Sequence, residues 1–211
     1  MITCQDYRVT NPDSLETPAM LLFQDKMQHN IRSVCELVGG AQNLMVHVKT
    51  HKSEAIVRKQ IEAGIKYFKC ATLNELEMVL QAGAHGAILT YPQVQERKIE
   101  RLCELTSSYP DSWVAVIVSS PVHVDLLARV AERQKQSLNV MLDLDVGMYR
   151  TGIGFGPAAE ELYGKIDADP LLQASGLHLY DGHQDSSDPL QREAAAQQNI
   201  KLLQEFQKQV E

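Results

Sequence analysis

The feature that most constrains this chain is an alternation of two textures. Short runs rich in Val, Ile and Leu recur at LMVHV (44–48), YFKCA (67–71), AILTY (87–91), WVAVIVS (113–119), LNVMLDL (138–144) and GLHLY (176–180). An earlier run, AMLLF (19–23), reads as an entry strand. Between the runs lie segments with helical spacing. In DKMQHNIRSVCELVGG, Met27, Ile31, Val34, Leu37 and Val38 form one stripe, and Gly39-Gly40 marks its end. Ser53 stands where it can cap a helix carrying Ile56, Val57, Gln60 and Ile61. Thr72-Leu-Asn-Glu75 reads as a capping box. Further helices are expected near 94–107, 122–135, 157–167 and 189–209. Strand then helix, repeated with short Gly- and Pro-marked loops, means parallel strands joined by helical crossovers.

Two architectures have this pattern, an open doubly wound sheet and a (β/α)8 barrel. Side chains alternate along a strand. In LMVHVKTH, Val46, Val48 and Thr50 oppose His47, Lys49 and His51. In VMLDLDVG, Leu142 and Leu144 oppose Asp143 and Asp145. In LHLYDGH, Leu177 and Leu179 oppose His178 and Tyr180. An open parallel sheet buries both faces, so its strands should be apolar on both. Three strands here turn polar on one face near their C-terminal ends, which suits a barrel whose lumen opens into a site at that mouth. The expected fold is therefore α/β of the (β/α)8 TIM-barrel type, incomplete, with about six of the eight strand–helix units.

Composition narrows the function. The net charge is −7 and the isoelectric point about 5.5, with no basic patch, which argues against a nucleic-acid partner. No apolar run approaches the roughly 20 residues of a membrane span. Residues 1–18 hold no signal-peptide core. Cys4, Cys35, Cys70 and Cys103 fit no zinc or haem spacing and read as reduced thiols of a cytoplasmic protein.

Lys49 has two readings. It is a solvated charge at a strand end, or an amine whose pKa falls in a partly desolvated place among other cationic groups, ready to form a Schiff base. His47 and His51 are poor partners for one metal ion. Four residues apart on an extended strand they stand roughly 13 Å apart, too far for two ligands each about 2 Å from it. Asp143, Asp145 and Arg150 mark either a salt-bridged strand–loop junction or a site. GIGFG (152–156) is similar to a nucleotide-binding glycine loop, but it does not follow the first strand and Gly156 meets Pro157. Tyr180, Asp181 and His183 follow the sixth strand. They form a polar turn or supply an acid–base group and a ring-positioning group at the same barrel end as Lys49.

Together, TPAMLL (17–22), VHVKTHKS (46–53), CATLNELE (70–77), LTYP (89–92), LDLDVGMYRTG (142–152) and GLHLYDGH (176–183) resemble the D-threonine aldolase and D-serine dehydratase group of pyridoxal-phosphate enzymes, which have an alanine racemase-like barrel of fold type III. The resemblance runs from Thr17 onward. It implies that Lys49 forms the Schiff base with pyridoxal phosphate, that Arg150 lies near the phenolic oxygen, that Tyr180 and His183 line the pocket with His183 taking part in proton transfer, and that His47 packs beside the cofactor. It also implies a D-configured β-hydroxy amino acid as substrate, cleaved by retro-aldol chemistry or by β-elimination of its hydroxyl. Alanine racemases usually read V-K-A-N-A-Y-G after the lysine and carry lysine at the position of Asp143. This chain has VKTHKSE and an aspartate.

The resemblance further implies phosphate-binding loops after the last two barrel strands and a following β-rich domain with a divalent metal site. The chain is therefore expected to be a fragment, with an N-terminal segment over 1–16, a partial cofactor-binding barrel over 17–211 and no C-terminal β-rich domain. A homodimer is expected of the full-length protein. The competing functions are a non-catalytic pyridoxal-phosphate-binding protein of the same superfamily and a plain α/β interaction module.

Overall fold

The computed structural model describes residues 7–211, and Cys4 lies outside them. Among the described residues, seven strands and seven helices follow one another. They are α1 (Gln24–Leu37), β1 (Met45–His47), α2 (Glu54–Glu62), β2 (Tyr67–Cys70), α3 (Leu73–Gln81), β3 (Gly86–Leu89), α4 (Glu96–Ser108), β4 (Trp113–Val118), α5 (Pro121–Gln134), β5 (Leu138–Asp145), β6 (Ile153–Gly154), α6 (Pro157–Asp167), β7 (Leu172–Leu179) and α7 (Pro189–Val210). All strand pairs are parallel. β1 to β5 lie side by side in chain order, and β7 continues the sheet from β5. An order that never reverses is that of a barrel wall, whereas a doubly wound sheet reverses at its switch point. The wall is an arc with β1 at one edge and β7 at the other. No helix among the described residues is long and apolar enough to cross a membrane.

The arc separates two apolar layers. The larger, between strands and helices, includes Phe68, Leu89, Val116 and Leu142 from the strands and Leu76, Leu102, Leu127 and Ile166 from the helices. The smaller lies on the concave face, where Ile88, Ala115 and Ile117 pack with Met45, Trp113 and Met141. It is the floor of the lumen. Above it, toward the strand C-termini, the same face turns polar, as the sequence pattern requires.

Two expectations are corrected. Ala19–Phe23 forms no strand. It follows Pro18, pairs with no neighbour, and leaves Met20 71% and Leu22 54% exposed. A run of apolar residues becomes a strand only where a ladder receives it. The α1 stripe is also rotated: Ile31 and Cys35 pack on the core, while Val34 is exposed and Leu37 is 85% exposed. The helix ends as expected, with Gly39 left-handed (φ 75°) and the Gly40 amide bonded to the Cys35 carbonyl at 2.8 Å.

One irregularity matters for the site. The β5–β7 register shifts between Val140 and Leu142, so that Val140 pairs Ala174 but Leu142 pairs Leu177. Ser175 and Gly176 (φ 124°) are the bulge. Sliding a strand by one residue exchanges its faces. Here the slip sets Asp143 beside His178, both on the lumen side.

Candidate active site

The site is built from the loops that follow β1, β3, β5 and β7. β1 ends at His47, whose neighbour in the sheet is Lys69, and Val48–Thr50 forms a single 3-10 turn. The expected inward row of His47, Lys49 and His51 on one extended strand is therefore not present. Beyond His47 no ladder holds the chain straight, and the Val48 carbonyl accepts from the amides of both His51 (3.2 Å) and Lys52 (2.9 Å). The spacing argument against a metal shared by His47 and His51 loses its extended strand as well. Their Nδ1 atoms are engaged instead by the backbone amides of Lys49 (3.2 Å) and Ser53 (3.1 Å). Among the described residues no cluster of three or more His, Cys, Asp or Glu side chains is arranged for a metal ion.

Val48 is fully buried and anchors the turn, and Lys49 is exposed. The desolvation expected at Lys49 is not supplied by the described residues. The Lys49 ammonium lies 5.7 Å from the centre of the Tyr180 ring. The Arg150 guanidinium lies 4.7 Å from the same ring and 5.4 Å from the Tyr91 ring. Two cations within about 6 Å of one aromatic ring is a cation–π arrangement, and it brings the ends of β1, β5 and β7 together. Gly182 makes room for it, because a Cβ there would collide with the Tyr180 phenol.

His47 flanks Lys49. Burial, then the field of the Lys49 ammonium, lowers its pKa to about 4, with Glu75 partly opposing. Its imidazole is therefore neutral at neutral pH. With Nδ1 accepting the Lys49 amide, Nε2 carries the hydrogen and faces the Thr90 hydroxyl at 3.4 Å. That hydroxyl in turn donates to the Cys70 carbonyl at 3.0 Å.

Arg150 is presented by an unusual turn. Asp145 makes no ion pair with it. One Asp145 carboxylate oxygen accepts from the amides of Gly147 (3.1 Å), Met148 (2.9 Å) and Tyr149 (3.2 Å). These bonds hold Gly147 (φ 106°) and Tyr149 (φ 52°) left-handed and aim the next residue, Arg150, at the mouth. The sequence expectation of a salt-bridged junction thus becomes a carboxylate-capped turn. GIGFG cradles no ligand at Gly152. A Cβ there would stand 2.8 Å from the Asp145 amide nitrogen, and the segment continues into β6 against the end of β5.

His183 lies against Gly147, whose Cβ would meet its Nε2 at 3.3 Å. This contact joins the β5 and β7 loops. The sequence reading gave Lys69 and Tyr91 no role at the site, and it did not foresee that Asp143 meets His178. Asp143 is 2% exposed and its Oδ1 lies 2.5 Å from His178 Nδ1. Lys69 shares the lumen face with His47, and burial lowers its pKa against the opposing field of Asp143. Tyr91 was legible only as a letter of LTYP. The alternation had put Asp143 and His178 on polar faces, and only the bulge reveals that they meet.

Of the six buried side-chain polar atoms without a partner among the described residues, four belong to β5, β7 or the loops after β1 and β7: His51 Nε2, Asp143 Oδ2, His178 Nε2 and His183 Nδ1. Groups buried in this state are commonly completed by a ligand or by water. A cavity of about 940 Å3 opens beside the mouth, between the start of α3 and α4, with Tyr91 as part of its wall.

An arc of parallel strands with an amine, a guanidinium and unpaired polar atoms at its C-terminal mouth defines the ligand-binding end of a (β/α)-barrel protein. The chain belongs to the family described as alanine racemase, N-terminal domain, which matches residues 23–211. It is 28% identical over 170 residues to D-threo-3-hydroxyaspartate dehydratase of Delftia sp. (strain HT23), covering 80% of this chain and 41% of that one. It is 25% identical over 177 residues to 3-hydroxy-D-aspartate aldolase of Paracoccus denitrificans (strain Pd 1222), covering 82% and 45%. The crystal structure of D-threonine aldolase from Filomicrobium marinum superposes with a TM-score of 0.84 at 23% identity, covering 93% of this chain and 53% of that one. This likeness establishes the barrel fold. The chain spans about half the length of these relatives.

Proposed function

We propose that residues 17–211 form a partial barrel domain carrying the lysine-bearing part of a pyridoxal-phosphate site, in a lyase that cleaves D-configured β-hydroxy amino acids in the manner of a D-threonine aldolase. The observation that carries this is the convergence of Lys49 and Arg150 on the Tyr180 ring at the barrel mouth. The residues fit the group. Lys49 offers a primary amine to its aldehyde, Arg150 a fixed positive charge to its phenolate oxygen, and Tyr180 and His47 flank a planar ring. When bound, pyridoxal phosphate supplies an electron sink for charge that develops at the substrate's α-carbon.

The chain's own groups have distinct parts in this reading. The Lys49 amine would hold the cofactor through its aldehyde and, as a free amine, would serve as a proton acceptor. His47, neutral because of burial and the adjacent Lys49 charge, adds no further positive charge beside that amine. Arg150 would help hold the cofactor through a charge that cannot be lost. His183, on the loop after β7, would take part in proton transfer with the substrate. Dehydration of the same substrate class, as in D-serine dehydratase, is the second reading, because dehydratase and aldolase both occur among the relatives. The free thiols of Cys35, Cys70 and Cys103 support a cytoplasmic setting, and a homodimer is the expected assembly.

Reduction of the chain with borohydride in the presence of pyridoxal phosphate, followed by peptide mapping, should give one dominant adduct at Lys49, absent in Lys49→Ala. No adduct, or one spread over surface lysines, overturns the reading. With the adduct in hand, D-threonine should yield glycine in the aldolase reading, and D-serine should yield pyruvate in the dehydratase reading.

A further inference from the structure

The geometry points to Glu75 as a positioning residue for Lys49: its carboxylate, paired with Lys52, locks the turn that presents the Lys49 amine. The inference rests on the assignment of Lys49 made above.

Glu75 lies in the first turn of α3 and is 3% exposed. The sequence places it in a capping box, and Thr72 Oγ1 does accept the Glu75 amide at 3.2 Å. The reciprocal half is altered. Instead of the Thr72 amide, Glu75 Oε2 takes the Ala71 amide at 2.7 Å, which leaves Oε1 for the Lys52 ammonium of another loop. Burial alone would raise the carboxyl's pKa, but the Lys52 ammonium and the Ala71 amide together hold it below the usual range. Glu75 is therefore a committed anion, and its field reaches both His47 and His51.

Its partner is the strained residue of the lysine loop. Lys52 has φ 46°, a left-handed conformation disfavoured for any residue with a Cβ. Its amide closes the turn onto the Val48 carbonyl at 2.9 Å. Lys49 is thus suspended between two fixed points, buried Val48 on one side and Lys52 on the other. A surface ion pair contributes little. This one has a buried member, and releasing Lys52 leaves the Glu75 carboxylate short of a partner away from water.

The test compares wild type with Glu75→Gln, Lys52→Met and the double variant Glu75→Gln/Lys52→Gly. Glutamine keeps an acceptor for the Ala71 amide, so α3 keeps its start. Glycine adopts the left-handed conformation without an ion pair. Circular dichroism confirms folding. Amide exchange over residues 48–53 is measured without cofactor, and the rate of Lys49 labelling is measured with pyridoxal phosphate and borohydride. Glu75→Gln and Lys52→Met should speed exchange and slow Lys49 labelling by about five- to thirty-fold, the factor that the penalty of a left-handed non-glycine residue represents. The glycine double variant should recover to within about two-fold. Unchanged exchange and labelling in Glu75→Gln, or a loss that glycine does not restore, overturns the inference. A wild-type chain that gives no Lys49 adduct overturns the cofactor reading instead, and the exchange data alone then decide whether Glu75 braces the turn.

Discussion

Replacing Asp145 by alanine should unseat Arg150 without touching it. The Asp145 carboxylate accepts three consecutive backbone amides at 2.9–3.2 Å, and Tyr149, held left-handed, is 91% exposed. The Tyr149 side chain therefore does little to hold the turn, which leaves the carboxylate as its organiser. Hydrogen bonds to a charged acceptor contribute roughly 1.5–3 kcal/mol each. Water can reach this half-buried turn, so the lower end applies, and the two best-formed bonds together give a loss of about 3 kcal/mol. For a chain of this length that corresponds to a fall in Tm of roughly 6–12 °C. Asparagine keeps the accepting oxygen but not the charge and should lose only about 1 kcal/mol. Urea unfolding followed by circular dichroism measures the loss, and amide exchange at Gly147, Met148 and Tyr149 localises it. Alanine within about 0.5 kcal/mol of wild type, equal losses for alanine and asparagine, or unchanged protection of those three amides would refute the reasoning.

Two further expectations follow from buried groups. The pKa of His47 is about 4 in the fold against 6.5 when free, so the unfolded chain binds the extra proton between those values. Its contribution is complete above pH 6.5 and is lost as pH falls toward 4, amounting to about 1 kcal/mol after discounting for its partial exposure. Denaturant titrations from pH 4 to 7 should show a flatter pH dependence in His47→Gln, and an unchanged slope would contradict the burial argument. Burial raises the Cys70 thiol beyond its ordinary range and pushes Cys103 up to about 11. Iodoacetamide at pH 8 should therefore modify Cys35 in the native chain and reach Cys70 and Cys103 only in denaturant, as read by peptide mapping; rapid native labelling of Cys70 would sink this.

Most of the architecture was legible because it rests on local rules. Helical spacing located all seven helices to within a few residues, and α6 (Pro157–Asp167) falls where its pattern predicts. The apolar runs located β1 to β5 and β7. The two-residue β6 was hidden in GIGFG, where glycines read as a loop and only the nearby end of β5 makes a strand of it. The false strand at 19–23 shows the converse, since apolar content cannot reveal whether a neighbour exists to pair with.

Local pattern was enough to show that strands and helices alternate, that the strands turn polar at their C-terminal ends, and that Lys49, Arg150 and Tyr180 lie at those ends. Periodicity and strand direction depend on nearest neighbours along the chain, so they are written in it. How the groups meet depends on the packing of segments far apart in the chain. β1 stops at His47 because its ladder ends there, and Lys49 therefore sits on a turn instead of a strand face. The bulge at Ser175–Gly176 puts His178 beside Asp143, and Glu75 crosses from α3 to hold Lys52. Each of these contacts joins residues more than 20 positions apart, and such pairings depend on register and packing that no local pattern encodes.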